Sequence, residues 1–521
     1  MNEIRIGNRL VGAGHPVYFI AEAGSNHDCN LEQAKRLVAV AAEAGADAVK
    51  FQTFRADALY PRSAGMTDYL GDPRSIHEII KSLEMPVEWI PILAQEAEAR
   101  GIAFISTPFD LAAVDALTPY VPALKVASYE MTYHGLVQAC ARTGKPIIVS
   151  TGTAALSEVR DMVLAARAAG ARELVVLQCT AKYPAPLSAL NLAAMQTMAR
   201  ELDVLVGFSD HSREPLPGPM AATALGACVI EKHFTLSNAL PGPDHAYALE
   251  PDELADVIKQ VRAVEKTLGT GIKAPAPEEM ELRAFARRSL FSTKAIAAGE
   301  PLTLHNTAVL RAGKLPYGMH PAQHVFVLGR TARRAIGVEE PLREEALVPL
   351  TLSDGDLTLR PIIAHDADCI VRWRNRPDVH EQLFATSPPT REQHDAWLAR
   401  QAVRGDRVDF LIELGGRPVG TIALSDIDLG RGTADYGVLI GEPDVRGQHA
   451  ASRASRLLLF YGFRTLRLQK ITLALFADNV AARKLYDKLG FIVVSDDESV
   501  EKSGRSRRVT RMMLVRKSDL S

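Results

Sequence analysis

Cysteine is scarce in this chain and shows no pairing pattern. Five residues, Cys29, Cys140, Cys179, Cys228 and Cys369, lie scattered through 521 positions without a CxxC pair, which argues against a disulfide framework and against a thiolate zinc site. No apolar run is long enough to span a bilayer, and the opening MNEIRIGNRLVGAG lacks the hydrophobic stretch of a secretory leader. An excess of either charge is missing too. With 60 basic residues against 62 acidic ones and a formal net charge of −2, no long-range field draws the chain to nucleic acid or to an anionic membrane. Internal repeats and low-complexity tracts are absent as well. These absences predict a cytoplasmic protein with small-molecule partners, no nucleic acid and no membrane.

What the chain has is the balance of an ordinary globular protein, 47% hydrophobic and 23% charged, at a length that exceeds one compact core and predicts two or three domains. Up to about residue 250, short β-rich runs alternate with Ala-rich amphipathic stretches such as LEQAKRLVAVAAEAGA at 31–46. The runs number eight: VYFIAEAG, AVKFQTF, AFISTPF, LKVAS, PIIVST, LVVLQCT, VLVGFSDH and CVIEKHF. Eight strand–helix units predict a (β/α)8 barrel over 1–270, with a doubly wound open sheet as the other α/β solution. A linker with prolines at 275 and 277 follows over 271–286, then a small β-rich module over 287–350. The polar stretch TLSDGD precedes a separate α/β domain over 355–521.

Each run turns polar at its end, at Glu22, Lys50, Thr107, Ser128, Thr151, Thr180, His211 and His233, and in a barrel those ends open on one face. His211 and His233 close neighbouring runs, so two imidazoles can share one divalent metal and leave positions open for water or a substrate oxygen. Lys50, Lys125 and the hydroxyls of Thr107, Ser128, Ser150 and Ser209 add charge and donors that suit a phosphate or carboxylate. Glu22, Glu130 and Asp244 add carboxylates able to hold sugar hydroxyls or move protons.

In this order, AEAGSNH, DAVKFQTF, STPFD, LKVASYE, STGTA, QCTAKYPAP, GFSDHS and VIEKHFTL followed by GPDHA resemble the bacterial sialic acid and pseudaminic acid synthase family, across the whole barrel. The block 287–350 resembles the antifreeze-like SAF domain that follows the barrel there. The resemblance implies condensation of phosphoenolpyruvate with an N-acyl hexosamine and release of phosphate. It also implies Mn2+ or Mg2+ on His211 and His233. Phosphoenolpyruvate would lie against Lys50, Thr107, Lys125, Ser128, Ser150 and Ser209. The sugar would meet Asn26, Gln52, Tyr183 and Arg311, with Glu22, Glu130 and Asp244 as catalytic carboxylates, in a homodimer whose SAF domain covers the partner's barrel. Sialic acid synthases commonly carry Asn two residues before the Tyr, where this chain has Ala181. KVASYE and YPAP look closer to the pseudaminic acid branch, whose substrate is a 2,4-diacetamido-2,4,6-trideoxy hexose. The other readings are an N-acetylneuraminate or legionaminate synthase and a non-catalytic sugar-binding scaffold.

In the last domain, RGQHAASRAS at 446–455 opens a helix with small residues, a local sequence that offers backbone N–H groups to a pyrophosphate. LFADNVAARKLYDKLGF at 475–491 sets Asn479 and Tyr486 seven apart. These segments resemble GNAT acetyltransferases, and RPIIAHDADCIVRWRN with IALSDIDLGRGTADYGVLIG resembles the branch that acetylates a nucleotide-linked 4-amino sugar. The resemblance implies acetyl-CoA against Arg446, Gly447, Ala451 and Asn479, with Tyr486 as the acid that protonates the departing thiolate. His449 stands where that family usually has Gly.

Overall fold

In this computed structural model residues 3–66, 74–401, 404–502 and 504–516 are described, and they form two compact units, Met1–Lys273 and Ala274–Ser521. The first unit opens with an antiparallel hairpin, β1 (Glu3–Ile6) and β2 (Arg9–Gly12), turning at Gly7 with φ 56°. Eight parallel strands follow: β3 (Tyr18–Gly24), β4 (Ala48–Thr53), β5 (Ala103–Pro108), β6 (Leu124–Val126), β7 (Ile147–Ser150), β8 (Leu174–Cys179), β9 (Leu205–Asp210) and β10 (Val229–His233). Their order is β5-β4-β3-β10-β9-β8-β7-β6, the cyclic order of a barrel. Among the described residues no ladder joins the end strands β5 and β6, but the two lie side by side and close the ring.

All seven residues of β3 are buried, as parallel strands covered on both faces must be. Helices are placed between the strands by local signals. Asn30 accepts N–H groups of Glu32 and Gln33 to start Leu31–Glu43, Asp110 caps Leu111–Leu117, and Pro251 begins Pro251–Leu268. The outer core joins strands to helices through Phe19, Val49, Phe104, Val149, Val176 and Phe208. The inner core stacks Tyr18, Ile20, Ile105, Ile148, Val175 and Val229 with Ile4, Ile6 and Val11 of the hairpin. The hairpin, which the eight-run reading did not include, therefore plugs the N-terminal end of the ring, and only the C-terminal end opens.

In the second unit the stretch 271–286 contains a short helix, Met280–Ala286. It leads into the pair β11 (Arg288–Ser292) and β12 (Thr307–Arg311), with a small core of Leu290, Ile296, Leu302, Ile336 and Leu342. The rest is one eight-stranded mixed sheet of β13 (Leu352–Asp354), β14 (Leu357–Pro361), β15 (Val408–Leu414), β16 (Arg417–Asp428), β17 (Thr433–Ile440), β18 (Lys470–Phe476), β19 (Ile492–Lys502) and β20 (Arg505–Val515). Its parallel contact is β17 with β18, three residue pairs ending at Asp435 and Thr472 although both strands continue. Beyond those pairs the two halves of the sheet part. Among the described residues no helix is long and apolar enough to cross a membrane.

Close approach fixes Gly207 in β9. A Cβ there would fall on the Val229 carbonyl oxygen and lie 2.6 Å from Leu177 Cδ2. Gly207→Ala should therefore lower the unfolding free energy by about 1–3 kcal/mol, the usual penalty of overpacking, measured by urea denaturation.

Candidate functional site

Strand periodicity decides which side chains enter the ring. In β9 and its extension Ser209 and His211 face inward while Asp210 faces out, and in β10 Glu231 and His233 face inward while Lys232 faces out. The outward pair meets as a buried ion pair, Lys232 Nζ to Asp210 Oδ2 at 2.6 Å. The same ammonium donates to the Ser212 carbonyl at 2.9 Å, and Asp210 Oδ1 accepts from the Ser212 N–H at 2.8 Å. This outer bracket fixes the turn that carries His211.

Inside, four charges balance one another out of water. Lys50 Nζ lies 2.7 Å from Glu22 Oε2 and 3.7 Å from Glu231 Oε1, and donates to Thr107 Oγ1 at 3.2 Å. Lys125 Nζ donates to Ser150 Oγ at 2.7 Å and lies 3.8 Å from Glu231 Oε1, which also accepts from Ser209 Oγ at 3.2 Å. Burial works against the charge on Lys50, yet Glu22 and Glu231 outweigh it and hold the ammonium. Burial likewise opposes ionisation of Glu231, and Lys125 and Lys50 overcome it. At Lys125 burial prevails and lowers the pKa, with Glu231 offsetting part of the effect.

Above this layer stand the imidazoles, with ring centroids 5.3 Å apart. His211 Nδ1 lies 3.0 Å from the Thr180 carbonyl and 3.7 Å from Cys179 Sγ, an arrangement that orients the ring and leaves Nε2 for another partner. Burial, reinforced by His211 and Lys50, pushes His233 well below the usual imidazole range, toward the neutral form that binds metal, while at His211 burial is outweighed by Cys179 and the pKa rises. Its Nδ1 is buried without a hydrogen-bond partner, 4.0 Å from Asp244 Oδ2. A neutral, orphaned imidazole beside a pre-oriented one fits a two-histidine site completed by water or substrate. Among the described residues no three His, Cys, Asp or Glu side chains group around one ion position.

The sugar-facing candidates divide. Tyr183 lies over His211, with centroids 4.2 Å apart. Gln52 donates to Glu22 Oε1 at 2.8 Å and so orients that carboxylate. The Asn26 amide instead donates to the Phe234 carbonyl at 2.8 Å and ties two loops together. Ser128 Oγ accepts the Gly152 N–H at 2.9 Å. A Cβ at Gly152 would come within 2.9 Å of that oxygen and 2.8 Å of Ala181 Cβ, so the three small residues share one tight corner. Glu130 is buried, with Oε2 unpartnered. Arg311 ends β12 in the second unit, exposed.

Sequence reasoning passed over Glu231, Cys179 and Tyr247. The EKHF motif showed Glu231 two residues before His233, hence on the same face of β10, and that spacing was signal enough. Cys179 ends β8 in the same way. Tyr247 carried no signal within AYALEP.

In the second unit, Arg446 is exposed and ion-paired with Asp378 at 2.7 Å. Gly447 has φ 85° and His449 φ 64°, a left-handed conformation that explains why glycine suits position 449. The His449 side chain is exposed, directly before helix Ala450–Arg464. Ala451 lies in that helix's first turn. Asn479 uses its side chain as the cap of helix Val480–Leu489, accepting from the Ala482 N–H at 3.1 Å. Tyr486 is buried in that helix against Tyr436 and Phe491, with centroids 6.0 Å and 5.9 Å away, and burial pushes its phenol up to about 12.

Residues 37–273 match the NeuB family, and residues 356–492 match an acetyltransferase (GNAT) domain. The chain is 42% identical over 337 residues to the spore coat polysaccharide biosynthesis protein SpsE of Bacillus subtilis, covering 62% of this chain and 90% of that protein. It is 39% identical to the N,N'-diacetyllegionaminic acid synthase of Legionella pneumophila, covering 61% and 91%. With the pseudaminic acid synthase of Campylobacter jejuni, serotype O:23/36, identity is 34% and coverage 66% and 99%.

Burial raises the Glu130 carboxyl to about 7, so the folded chain holds a proton that the unfolded chain releases near pH 4.5. Stability contributed at Glu130 is then lost as pH rises from about 4.5 to 7. Glu130→Gln should be more stable than the wild type at pH 8 by on the order of 2–3 kcal/mol and indistinguishable from it at pH 4, read by denaturant titration at both values.

Proposed function

Since the chain belongs to the NeuB family and carries a GNAT domain, we propose that its barrel condenses phosphoenolpyruvate with an N-acyl amino sugar and releases phosphate. The supporting observation is the buried cradle of Lys50 and Lys125 directly beneath a paired imidazole site. Buried Glu130 Oε2, Glu231 Oε2, His233 Nδ1 and Tyr247 OH there have no protein hydrogen-bond partner. Buried polar groups without partners are costly, and a cluster of them at one strand-end face is the mark of a ligand site.

C3 of phosphoenolpyruvate attacks the aldehyde carbon of the open-chain sugar, water adds at C2, and the C2–O bond to phosphate breaks to leave a ketone. Lys50, Lys125, Thr107, Ser128, Ser150 and Ser209 hold the anionic groups of phosphoenolpyruvate. Glu130, protonated near neutrality, gives its proton to the aldehyde oxygen as the C–C bond forms. Glu22, held by Gln52, and Asp244 orient sugar hydroxyls and water, and Tyr183 covers the pair. His211 and His233 would hold a divalent cation, Mn2+ or Mg2+, which when bound would supply Lewis acidity.

The substrate proposed is a 2,4-diacetamido-2,4,6-trideoxy hexose, the pseudaminic type, with Ala181 in place of the Asn that sialic acid synthases carry. The higher identity to the Legionella protein favours a second reading, the legionaminate-type stereoisomer. Mass spectrometry of products from candidate sugars offered singly separates the two. In the second unit the loop before helix Ala450–Arg464 takes the pyrophosphate of acetyl-CoA, the opening between β17 and β18 takes the rest, and Tyr486 protonates the departing thiolate. The Arg446 and Gln448 N–H groups already serve the turns before the helix, so the pyrophosphate would meet the remaining N–H groups at the helix start, with the His449 side chain out in solvent. The chain is proposed to work in the cytoplasm as a homodimer, with 287–350 as its SAF domain, a reading that the family resemblance supports.

Two measurements test this. Phosphate release from phosphoenolpyruvate and sugar should require a divalent cation, and His211→Ala or His233→Ala should lower the rate at least about a hundredfold; full activity in excess chelator contradicts it. In the full chain, calorimetry should show acetyl-CoA binding that survives His449→Gly, while Tyr486→Phe should slow acetyl transfer roughly a hundredfold without weakening that binding.

A further inference from the structure

Tyr247 is 8% exposed, and its hydroxyl has no partner in hydrogen-bonding geometry. Its ring lies 5.4 Å from Tyr183 and 5.5 Å from His233, centroid to centroid, so it completes a four-ring cluster with His211. The loop that presents it is fixed from both sides. Asn238 Nδ2 donates to the carbonyls of His245, at 2.5 Å, and Ala248, at 2.8 Å. The His245 ring is clamped between Thr235 Oγ1 and Asp28 at 2.5 Å and 3.1 Å. Gly242 permits the clamp, because a Cβ there would meet His245 Cδ2 at 2.7 Å. Finally, Leu249 N–H donates to the His233 carbonyl at 2.9 Å, which ties the segment to the end of β10. This bracing holds the phenol beside Asp244, the protein group near enough to share its proton, without completing a hydrogen bond of good geometry.

A phenol is protonated at neutral pH and so acts as a donor. Its surroundings decide what it can donate to. The amino groups of the site, Lys50 and Lys125, belong to the layer below, where they lie beside Glu231, and the phenol is accompanied instead by a carboxyl group and aromatic faces. A neutral oxygen on an otherwise partly apolar molecule suits a hydroxyl donor flanked by aromatic faces.

We propose that Tyr247 is a specificity-determining residue that touches the acceptor sugar, donating its hydroxyl to a neutral sugar oxygen, a hydroxyl or an N-acyl carbonyl, while its ring packs on the carbon skeleton. This rests on the synthase reading of the barrel. Sugars lacking an oxygen within its reach lose the bond and leave the phenol unpaired, which discriminates against them.

The test compares the intact wild-type chain with Tyr247→Phe and Tyr247→Leu, varying sugar and phosphoenolpyruvate separately with the divalent cation present. Tyr247→Phe should raise KM for the sugar about tenfold, the loss of one hydrogen bond, with KM for phosphoenolpyruvate and kcat little changed. Its melting temperature should change little, because the hydroxyl completes no hydrogen bond of good geometry in the protein. Tyr247→Leu should raise the sugar KM further through loss of the ring. Equal changes in both KM values, or a fall in kcat with the sugar KM unchanged, overturns the assignment while the synthase reading stands. If the wild type consumes phosphoenolpyruvate with none of the N-acyl sugars offered, the synthase reading fails and the assignment falls with it.

Discussion

Two lysines and two glutamates, taken out of water inside one end of a ring of strands, are the constraint from which the first unit is built. Buried ions need compensation and fixed geometry, and the barrel supplies both. Parallel strands bring residues distant in sequence to one layer, so Glu22, Lys50, Lys125 and Glu231 face one another across the ring. Within the layer burial works against the charge on Glu22 and on Lys125, while Lys50 and Glu231 are held charged by their neighbours. Everything above it, the imidazoles, the tyrosines and Asp244, is carried by strand ends and by a loop braced through Asn238, His245 and Leu249.

The fold was legible because the pattern repeats. Eight apolar runs ending in polar residues announce eight strands opening on one face, and the structure returns eight in cyclic order. The hairpin β1–β2 was not legible, since two four-residue strands make a weak signal beside eight strong ones. In the site, residues at run ends were easy to find, whereas side chains with a local employment were not separable from them. Asn26 and Asn479 read as ligand contacts in sequence, but their amides bond backbone groups of the protein itself. Glu231 shows the opposite failure. Its position within a strand made it look like part of β10 alone, although strand alternation places it beside His233.

The second unit obeys a different logic. Its sheet opens because β17 and β18 stay paired for three residues and then follow separate antiparallel neighbours, leaving backbone groups at the fork free. His449 sits at the start of the adjoining helix in a conformation that costs a β-carbon about 1–2 kcal/mol, and its exposed side chain keeps the loop clear. A residue that departs from a motif can thus preserve the backbone geometry that the motif exists to secure.

The plug at the base of the barrel has a consequence for traffic. With Ile4, Ile6 and Val11 filling the lower end, the chamber is, among the described residues, closed at its floor and open at the rim of strand ends. The buried lysines and glutamates therefore sit at the bottom of a cul-de-sac, and whatever reaches them passes the rings at the rim. A ten-residue hairpin gives the ring a floor and with it a direction.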